Sequence, residues 1–496
     1  MVDGWGGKMK KSNLFRLLLW GSPFLLVISL NANAQQKKND RPNVIIINMD
    51  DMGYGDTEPY GMTGIPTPNF NRAASEGMRL THFNAAQAVC SPSRAALLTG
   101  CYPNRLSLAH ALSPEAKIAL NTSEETIASI LKKSGYKTAM LGKWHLGSKA
   151  PFLPTYFGFD SFYGLPYSHD MWPVGYDGKP LDSSTYRGKY PRLPILDGEN
   201  VVAYNDNLED QGKLTGTFTK KAVEFITDHQ KDPFFLYLAQ PMPHVPLAAS
   251  KAFRGKSELG IFGDVIMELD WSIGEIMKTL DRYKLSENTI LIITSDNGPW
   301  LNFGDNAGSS GGFREGKGTA WDGGTRVPCL IRWPGSIPAG SLSSQLMVNI
   351  DLLPTIATLT KAKLPALKID GMDFSAVLTG KSSKGPREVF YYYYDVNNLK
   401  AVRYKNWKLV FPHSSRAYTG SLPGKGGYPG PAPDVKVKMA LYNLSHDPAE
   451  QYDVQENYPE MLKQIQVYAE EARVDLGDEL TNRKGANRRP AGKVSP

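Results

Sequence analysis

Two runs of β-branched residues, Asn43-Val44-Ile45-Ile46-Ile47-Asn48-Met49 and Thr289-Ile290-Leu291-Ile292-Ile293-Thr294-Ser295, constrain the fold of this chain more than any other feature. Neither run alternates apolar with polar residues, so each reads as a central strand buried on both faces. Each is followed by polar groups, Asp50-Asp51 after the first and Asp296-Asn297 after the second. Open α/β sheets bind their ligands at the carboxyl ends of their strands. Further strands are expected over residues 138–141, 233–239 and 329–333. Amphipathic helices are expected over 67–76, 124–134, 215–229 and 263–283. This alternation predicts a doubly wound α/β domain over residues 41–385.

The texture changes near residue 386. Short runs over 389–394, 401–404, 407–411 and 440–444, with turns at Asn397-Asn398 and Lys405-Asn406, predict a small antiparallel sheet closed by a helix over 459–476. A chain of 496 residues accommodates such a second domain, placed at 386–481, beside the larger one. The basic, Gly/Pro-containing residues 482–496 are expected to form a flexible tail.

Ahead of the first strand, Lys10-Lys11, an apolar run from Leu17 to Leu30 broken by Pro23, and Ala32-Asn33-Ala34 follow the order of a secretory signal, placed at residues 1–34. The run falls short of the roughly 20 apolar residues of a membrane span, so no stable span is expected after processing. Removal takes Lys8, Lys10, Lys11, Arg16 and Asp3 away and lowers the net charge from +7 to +4. So mild a balance suits acidic substrates and gives no case for nucleic acid. The three cysteines, Cys90, Cys101 and Cys329, make no disulfide framework. With Cys90 modified, Cys101 and Cys329 would remain as a candidate pair, and the sequence alone does not place them close enough to say that they bond.

Candidate chemistry concentrates at Cys90-Ser91-Pro92-Ser93-Arg94. Pro92 suits the first helical position with Ser91 as cap, and Ala95-Ala96-Leu97-Leu98 propagates the helix. Cys90 is then expected just outside a helix N-terminus, where unpaired N–H groups collect anions and lower a thiol pKa. Asp50, Asp51, Asp296 and Asn297 offer oxygen alone, which favours a hard cation, Ca²⁺ or Mg²⁺. Isolated acids more often cap helices or pair with lysines, but two clusters at two strand ends argue for the ion.

Cys-x-Pro-x-Arg followed by Leu98-Thr99-Gly100 resembles the signature of the type I, formylglycine-dependent sulfatases. The resemblance continues at Asp50-Asp51, Gly142-Lys143-Trp144-His145-Leu146-Gly147, Pro166-Tyr167-Ser168-His169, Pro243-His244, Asp296-Asn297-Gly298 and Gly316-Lys317-Gly318, in the family's order. It implies an alkaline phosphatase-like fold and a sulfuric ester hydrolase of the arylsulfatase A-like group. It further implies that a formylglycine-generating or sulfatase-maturating enzyme oxidises Cys90 to formylglycine, and that the ion is calcium, with residue 90 added to its ligands. Related two-zinc enzymes place a histidine where this chain has Asn297, which fits a single hard ion.

By the same resemblance Arg94 orients the formylglycine, Lys143 and Lys317 bind sulfate oxygens, and Ser168 lies in the same shell. His145 handles the protons of the aldehyde hydrate, and His244, facing the ester oxygen, protonates the leaving alcohol. One hydroxyl of the hydrate attacks sulfur to give a covalent sulfo-enzyme, and the other then collapses to the aldehyde as sulfate leaves.

The superfamily also contains phosphodiesterases and phosphonate hydrolases, and a silent sulfoglycan-binding protein is the alternative outside enzymes. Every expected catalytic position is filled, which favours the sulfatase. The expected substrate is a sulfated carbohydrate met in the periplasm or outside the cell. Trp172, Trp300 and Trp321 are expected at the pocket rim, Arg314 and Lys179 against a uronate or second sulfate, and residues 171–214, 299–314 and 412–437 as the loops that shape the pocket.

Overall fold

The strand Asn43–Met49 is buried along its whole length, and its side chains divide between two cores. Val44 and Ile46 pack with Leu97, Ile130 and Leu353 on one face, while Ile45, Ile47 and Met49 pack with Phe218, Leu269 and Ile273 on the other. That division follows from the two-residue period of a strand. It requires helices on both sides. Cys90–Thr99, Ile127–Lys133 and Leu352–Thr360 cover the first face, and Pro68–Ser75, Leu214–Asp228 and Gly260–Arg282 cover the second. The computed structural model describes residues 41–494, so the expected secretory leader lies outside the described residues.

The sheet has ten strands. Thr289–Ser295, Asn43–Met49, Phe234–Ala239, Lys137–Lys143 and Ser161–Leu165 run parallel at its centre. On one side Cys329–Arg332 continues antiparallel, followed by Met78–Leu80 and Ser341–Ser343. On the other the antiparallel hairpin Leu193–Asp197 and Asn200–Asn205 forms the edge. Residues 171–214 therefore hold more than loop. Most of Asn200–Asn205 is exposed, so it lacks the apolar pattern that marks the central strands.

The C-terminal sheet orders Val389–Tyr394, Asn398–Tyr404, Trp407–Val410 and Ala440–Asn443 antiparallel, and the helix Pro459–Asp475 packs on it. The described residues form one compact unit that includes this sheet. A buried ion cluster joins it to the loop after residue 314: Lys408 Nζ lies 3.1 Å from Asp322 Oδ1 and 2.6 Å from Glu450 Oε1. Tyr392 Oη donates to Asp322 at 2.9 Å, and the Asp322 N–H donates to Glu450 at 2.8 Å.

One expectation is corrected, and the question of the two remaining cysteines is answered. Residues 482–494 are tied down, with Arg483–Lys484 pairing with Gly477–Asp478 and Gly492–Lys493 pairing with Ile118–Ala119. Arg489 forks onto Glu124 at 2.7 and 2.8 Å, so the basic character that suggested a loose tail is spent on a nearly buried acid. Cys101 and Cys329 do not bond; all three cysteines are free and buried. Cys329 lies in the main sheet opposite Thr294, whereas Cys101 follows the helix Cys90–Thr99 and meets Arg489. No helix among the described residues is long and apolar enough to cross a membrane.

Replacing Lys408 by Met should leave Asp322 and Glu450 buried without their shared cation. Losing one partner of a buried ion pair costs about 3–5 kcal/mol. Thermal unfolding followed by tryptophan fluorescence should show a clearly lowered transition in Lys408→Met, and an unchanged one would mean that the cluster does not hold the sheets together.

Candidate active site

Strand register assembles the site. Met49 lies opposite Ser295, so Asp50-Asp51 and Asp296-Asn297 leave the sheet side by side. Lys143 ends its own strand on the same edge, and His244 follows the neighbouring strand Phe234–Ala239 after a short turn. Gly142 allows the close packing there, since a Cβ on it would fall 2.0 Å from the Ala239 carbonyl oxygen. Asp51 and His145 hold left-handed backbone conformations, φ 65° and 63°. Such strain in non-glycine residues gathers where a fold fixes side chains for function.

The helix that carries Cys90 starts earlier than expected. Val89 is the cap residue and Cys90 the first helical position, so Pro92 occupies the third, where its missing N–H would have had no partner. Ser91 does not cap; its Oγ accepts the Leu112 N–H at 3.0 Å. The Leu112 carbonyl in turn accepts His145 Nε2 at 2.9 Å, which leaves Nδ1 as the ring nitrogen without a hydrogen bond. Burial also reverses the expected acidity of the thiol. It pushes Cys90 up to about 12, against the lowering pull of Lys143 and Lys317.

One helical turn on, Arg94 is fully buried. Its Nε and Nη2 reach Asp296 Oδ2 at 2.9 and 2.8 Å, and Nη1 donates to the Lys143 carbonyl at 2.8 Å. Arg94 thus ties two strand ends to the helix of Cys90. Lys143 Nζ donates to Asp50 and, at 2.9 Å, to Ser168 Oγ. Lys317 Nζ lies 2.7 Å from Asp51 Oδ1. Burial favours the neutral form of Asp50, but Lys143, His244 and Arg94 outweigh it and hold this carboxyl well below the usual range. Burial and the adjacent Asp50 push Asp296 upward, and Arg94 opposes them.

Asp50, Asp51, Cys90 and His244 each bring a potential metal-binding atom within 4.8 Å of one another. Asp296 is outside that group, its Oδ2 held by Arg94 and its Oδ1 accepting the Asp51 N–H at 3.2 Å. The donor set suits a hard cation on a further observation: Asp50 Oδ1 and Asn297 Oδ1 are buried oxygens with no hydrogen-bond partner. Oxygens left bare in this way match the needs of Ca²⁺, which takes carboxylate and amide oxygens together. Asn297 Nδ2 meanwhile donates to Asp51 Oδ1 at 2.7 Å and so turns its Oδ1 away.

His244 presents Nε2 to the site, 3.6 Å from Asp51 Oδ2, because Nδ1 faces the Val245 carbonyl. Burial, reinforced by Lys317, pulls this imidazole down to about 3. Sequence reasoning gave no role to His169 and Asp170, although they follow Ser168 directly. His169 Nε2 lies 3.0 Å from the His244 carbonyl and the two rings meet edge-on. Their adjacency to a motif serine was the available signal.

Of the three expected rim tryptophans, Trp300 alone is partly exposed, with Lys317 Nζ 4.6 Å from its ring centre and the His244 ring 5.6 Å away. Trp172 and Trp321 are buried packing residues. Arg314 stacks on Trp321 at 3.6 Å and donates to the Glu450 carbonyl, and Lys179 pairs with Asp177 at 3.1 Å. Neither cation faces the site unpaired. Instead the segment after the strand His413–Arg416 contributes Tyr418, whose hydroxyl donates to the Lys317 carbonyl at 2.6 Å.

The comparison with known proteins agrees with this geometry. The family model described as Sulfatase matches residues 42–362, and that for the C-terminal region of aryl-sulfatase matches residues 385–493. Arylsulfatase A of Homo sapiens is 36% identical over 448 residues, covering 88% of this chain and 87% of that protein. The N-acetylgalactosamine-6-O-sulfatase of Bacteroides thetaiotaomicron is 32% identical over 522 residues, covering 91% and 98%. Among solved structures, a sulfatase from Pseudoalteromonas sp. superposes with a TM-score of 0.78 at 29% identity, covering 88% of this chain and 90% of that one. With an acid-lined, doubly wound sheet, a buried Cys-x-Pro-x-Arg helix and this breadth of similarity, the chain belongs to the sulfatase family and is a sulfuric ester hydrolase.

Proposed function

We propose that this enzyme removes sulfate from a sulfated carbohydrate, with Cys90 matured to formylglycine and a calcium ion held by Asp50, Asp51, Asp296, Asn297 and residue 90. The observation that carries the reading is the gathering of Asp50, Asp51, Cys90 and His244 within 4.8 Å, flanked by two buried lysines. Relatives named as sulfatases of amino sugars support the carbohydrate, and the secretory leader expected at residues 1–34 supports action in the periplasm or outside the cell.

The chain's own groups divide the work. An ammonium has three protons, so Lys143, which gives two to Asp50 and Ser168, keeps one for a sulfate oxygen, and Lys317 keeps at least one beyond Asp51. Arg94, Lys143 and Lys317 offset the three carboxylates, so a bound divalent cation leaves the site positive and attractive to a sulfate monoester. When bound, calcium supplies a Lewis acid at residue 90 and the sulfate oxygens. A formylglycine at residue 90 would supply a hydrated aldehyde, a diol nucleophile that the thiol of Cys90 does not offer.

His145, with Nδ1 bare and Nε2 fixed on the Leu112 carbonyl, takes the proton from residue 90. His244 in the free site is neutral. The negative charge of an entering sulfate beside Nε2 raises its hold on a proton, which it gives to the leaving oxygen. Ser168 fixes Lys143 from the side.

Two measurements check this reading. In protein coexpressed with a formylglycine-generating enzyme, mass spectrometry of the tryptic peptide containing residue 90 should find the aldehyde. Cys90→Ala should abolish turnover while keeping the fold; full activity with only unmodified Cys90 would refute the maturation. His244→Ala should slow sugar sulfates by about 10²-fold or more, the usual scale of a lost general acid. Nitrophenyl sulfate, whose leaving group departs without a proton, should lose far less, and equal losses on both esters would remove His244 from that role.

A further inference from the structure

Arg416 stands at the C-terminal end of the strand His413–Arg416, half-buried and beside the catalytic loop. Gly318, the residue after Lys317, marks how close it comes. A Cβ built on Gly318 would lie 3.2 Å from Arg416 Nη1 and 3.0 Å from the Tyr394 hydroxyl. The Gly318 N–H donates to the Ala88 carbonyl at 2.8 Å, two residues before Cys90. Both polar heads therefore converge on the ground between Lys317 and Cys90.

Neither head is saturated. A guanidinium has five N–H donors. Arg416 spends one of them on a long contact, Nη1 to the Tyr418 hydroxyl at 3.4 Å, and no carboxylate among the described residues lies within ion-pair distance of it. Asp434 is its cross-strand neighbour but makes no ion pair with it. Glu315, the other acid of this corner, is occupied by the Tyr418 and Thr419 N–H groups. The Tyr394 hydroxyl has no hydrogen-bond partner among the described residues. Behind it Lys400 Nζ sits 5.1 Å from the Tyr394 ring centre, bonded to the Ser414 carbonyl, and adds positive charge with Asp395 and Asp434 nearby but no carboxylate among the described residues in ion-pair contact. Arg416, Lys400 and Lys317 thus all stand near this tyrosine, with Asp395 as the acid beside it.

We propose that Arg416 and the Tyr394 hydroxyl form a second anion subsite, which holds a carboxylate or a further sulfate of the saccharide next to the sulfate being removed. The proposal rests on the saccharide reading of the site and deepens it: the substrate class becomes polyanionic. A planar guanidinium suits either anion, since both offer paired oxygens to its fork. Of the cations expected to play this part, Arg314 bonds the Glu450 carbonyl and Lys179 pairs with Asp177.

The test compares four esters on converted enzyme: nitrophenyl sulfate, a neutral monosulfated disaccharide, a monosulfated disaccharide with a uronate, and a disulfated disaccharide. Arg416→Met should raise KM for the uronate or the disulfated substrate about tenfold or more beyond its effect on the other two, the scale of one charged hydrogen bond. Arg416→Lys should recover part of that loss, and the arm that responds identifies the anion. If wild-type enzyme hydrolyses the saccharides while Arg416→Met shifts KM equally on all four esters, the subsite is wrong and the saccharide reading stands. If wild-type enzyme hydrolyses nitrophenyl sulfate and no saccharide, both fall.

Discussion

Everything in this site depends on three carboxylates being forced together. Parallel pairing of Asn43–Met49 with Thr289–Ser295 delivers Asp50, Asp51 and Asp296 to one sheet edge, and burial removes the water that would screen them. Like charges so placed are tolerated when cations of fixed geometry answer them. Arg94 answers Asp296, Lys143 answers Asp50 and Lys317 answers Asp51, and each cation arrives from a different segment of the chain. The charge balance at the strand ends therefore fixes where the Cys90 helix, the Lys143 strand and the Lys317 loop must sit.

The second sheet extends that dependence. Lys317 belongs to a loop whose far end, Asp322, is locked to Lys408 of the C-terminal sheet and to Glu450 in the loop beyond its last strand, and its own carbonyl is held by Tyr418. Gly298, next to Asn297, donates its N–H to Gly324 of the same loop at 2.9 Å. A single loop thus couples the antiparallel sheet to both the carboxylates and the cations. This explains why residues far along the chain, Tyr394, Arg416 and Tyr418, stand at a site whose chemistry lies mostly before residue 320.

The central strands and their terminal acids were legible in the sequence because burial on both faces leaves an unbroken apolar run. The hairpin of 193–205 was not, since a solvent-facing edge carries no such signature. Pro92 misplaced the helix start: proline fits any of the first positions whose N–H lacks a partner, so it marks the first turn and not its first residue. The thiol of Cys90 was expected to be acidic from its helix end alone, but desolvation outweighs that local field. Arg314 and Lys179 looked equally free in sequence. Arg314 answers to a carbonyl 136 residues away, which no local pattern reveals, whereas the Lys179 partner, Asp177, lies two residues off.

The proposed work of the carboxylate cluster, with its bare Asp50 and Asn297 oxygens, is to hold one hard divalent ion. Calorimetric titration of calcium into chelator-treated enzyme, with activity followed on the same samples, tests it most directly. Binding of a single ion per chain should restore activity in step with occupancy, and Asp50→Asn should weaken both together. Full activity in metal-free enzyme that takes up no calcium would contradict the account.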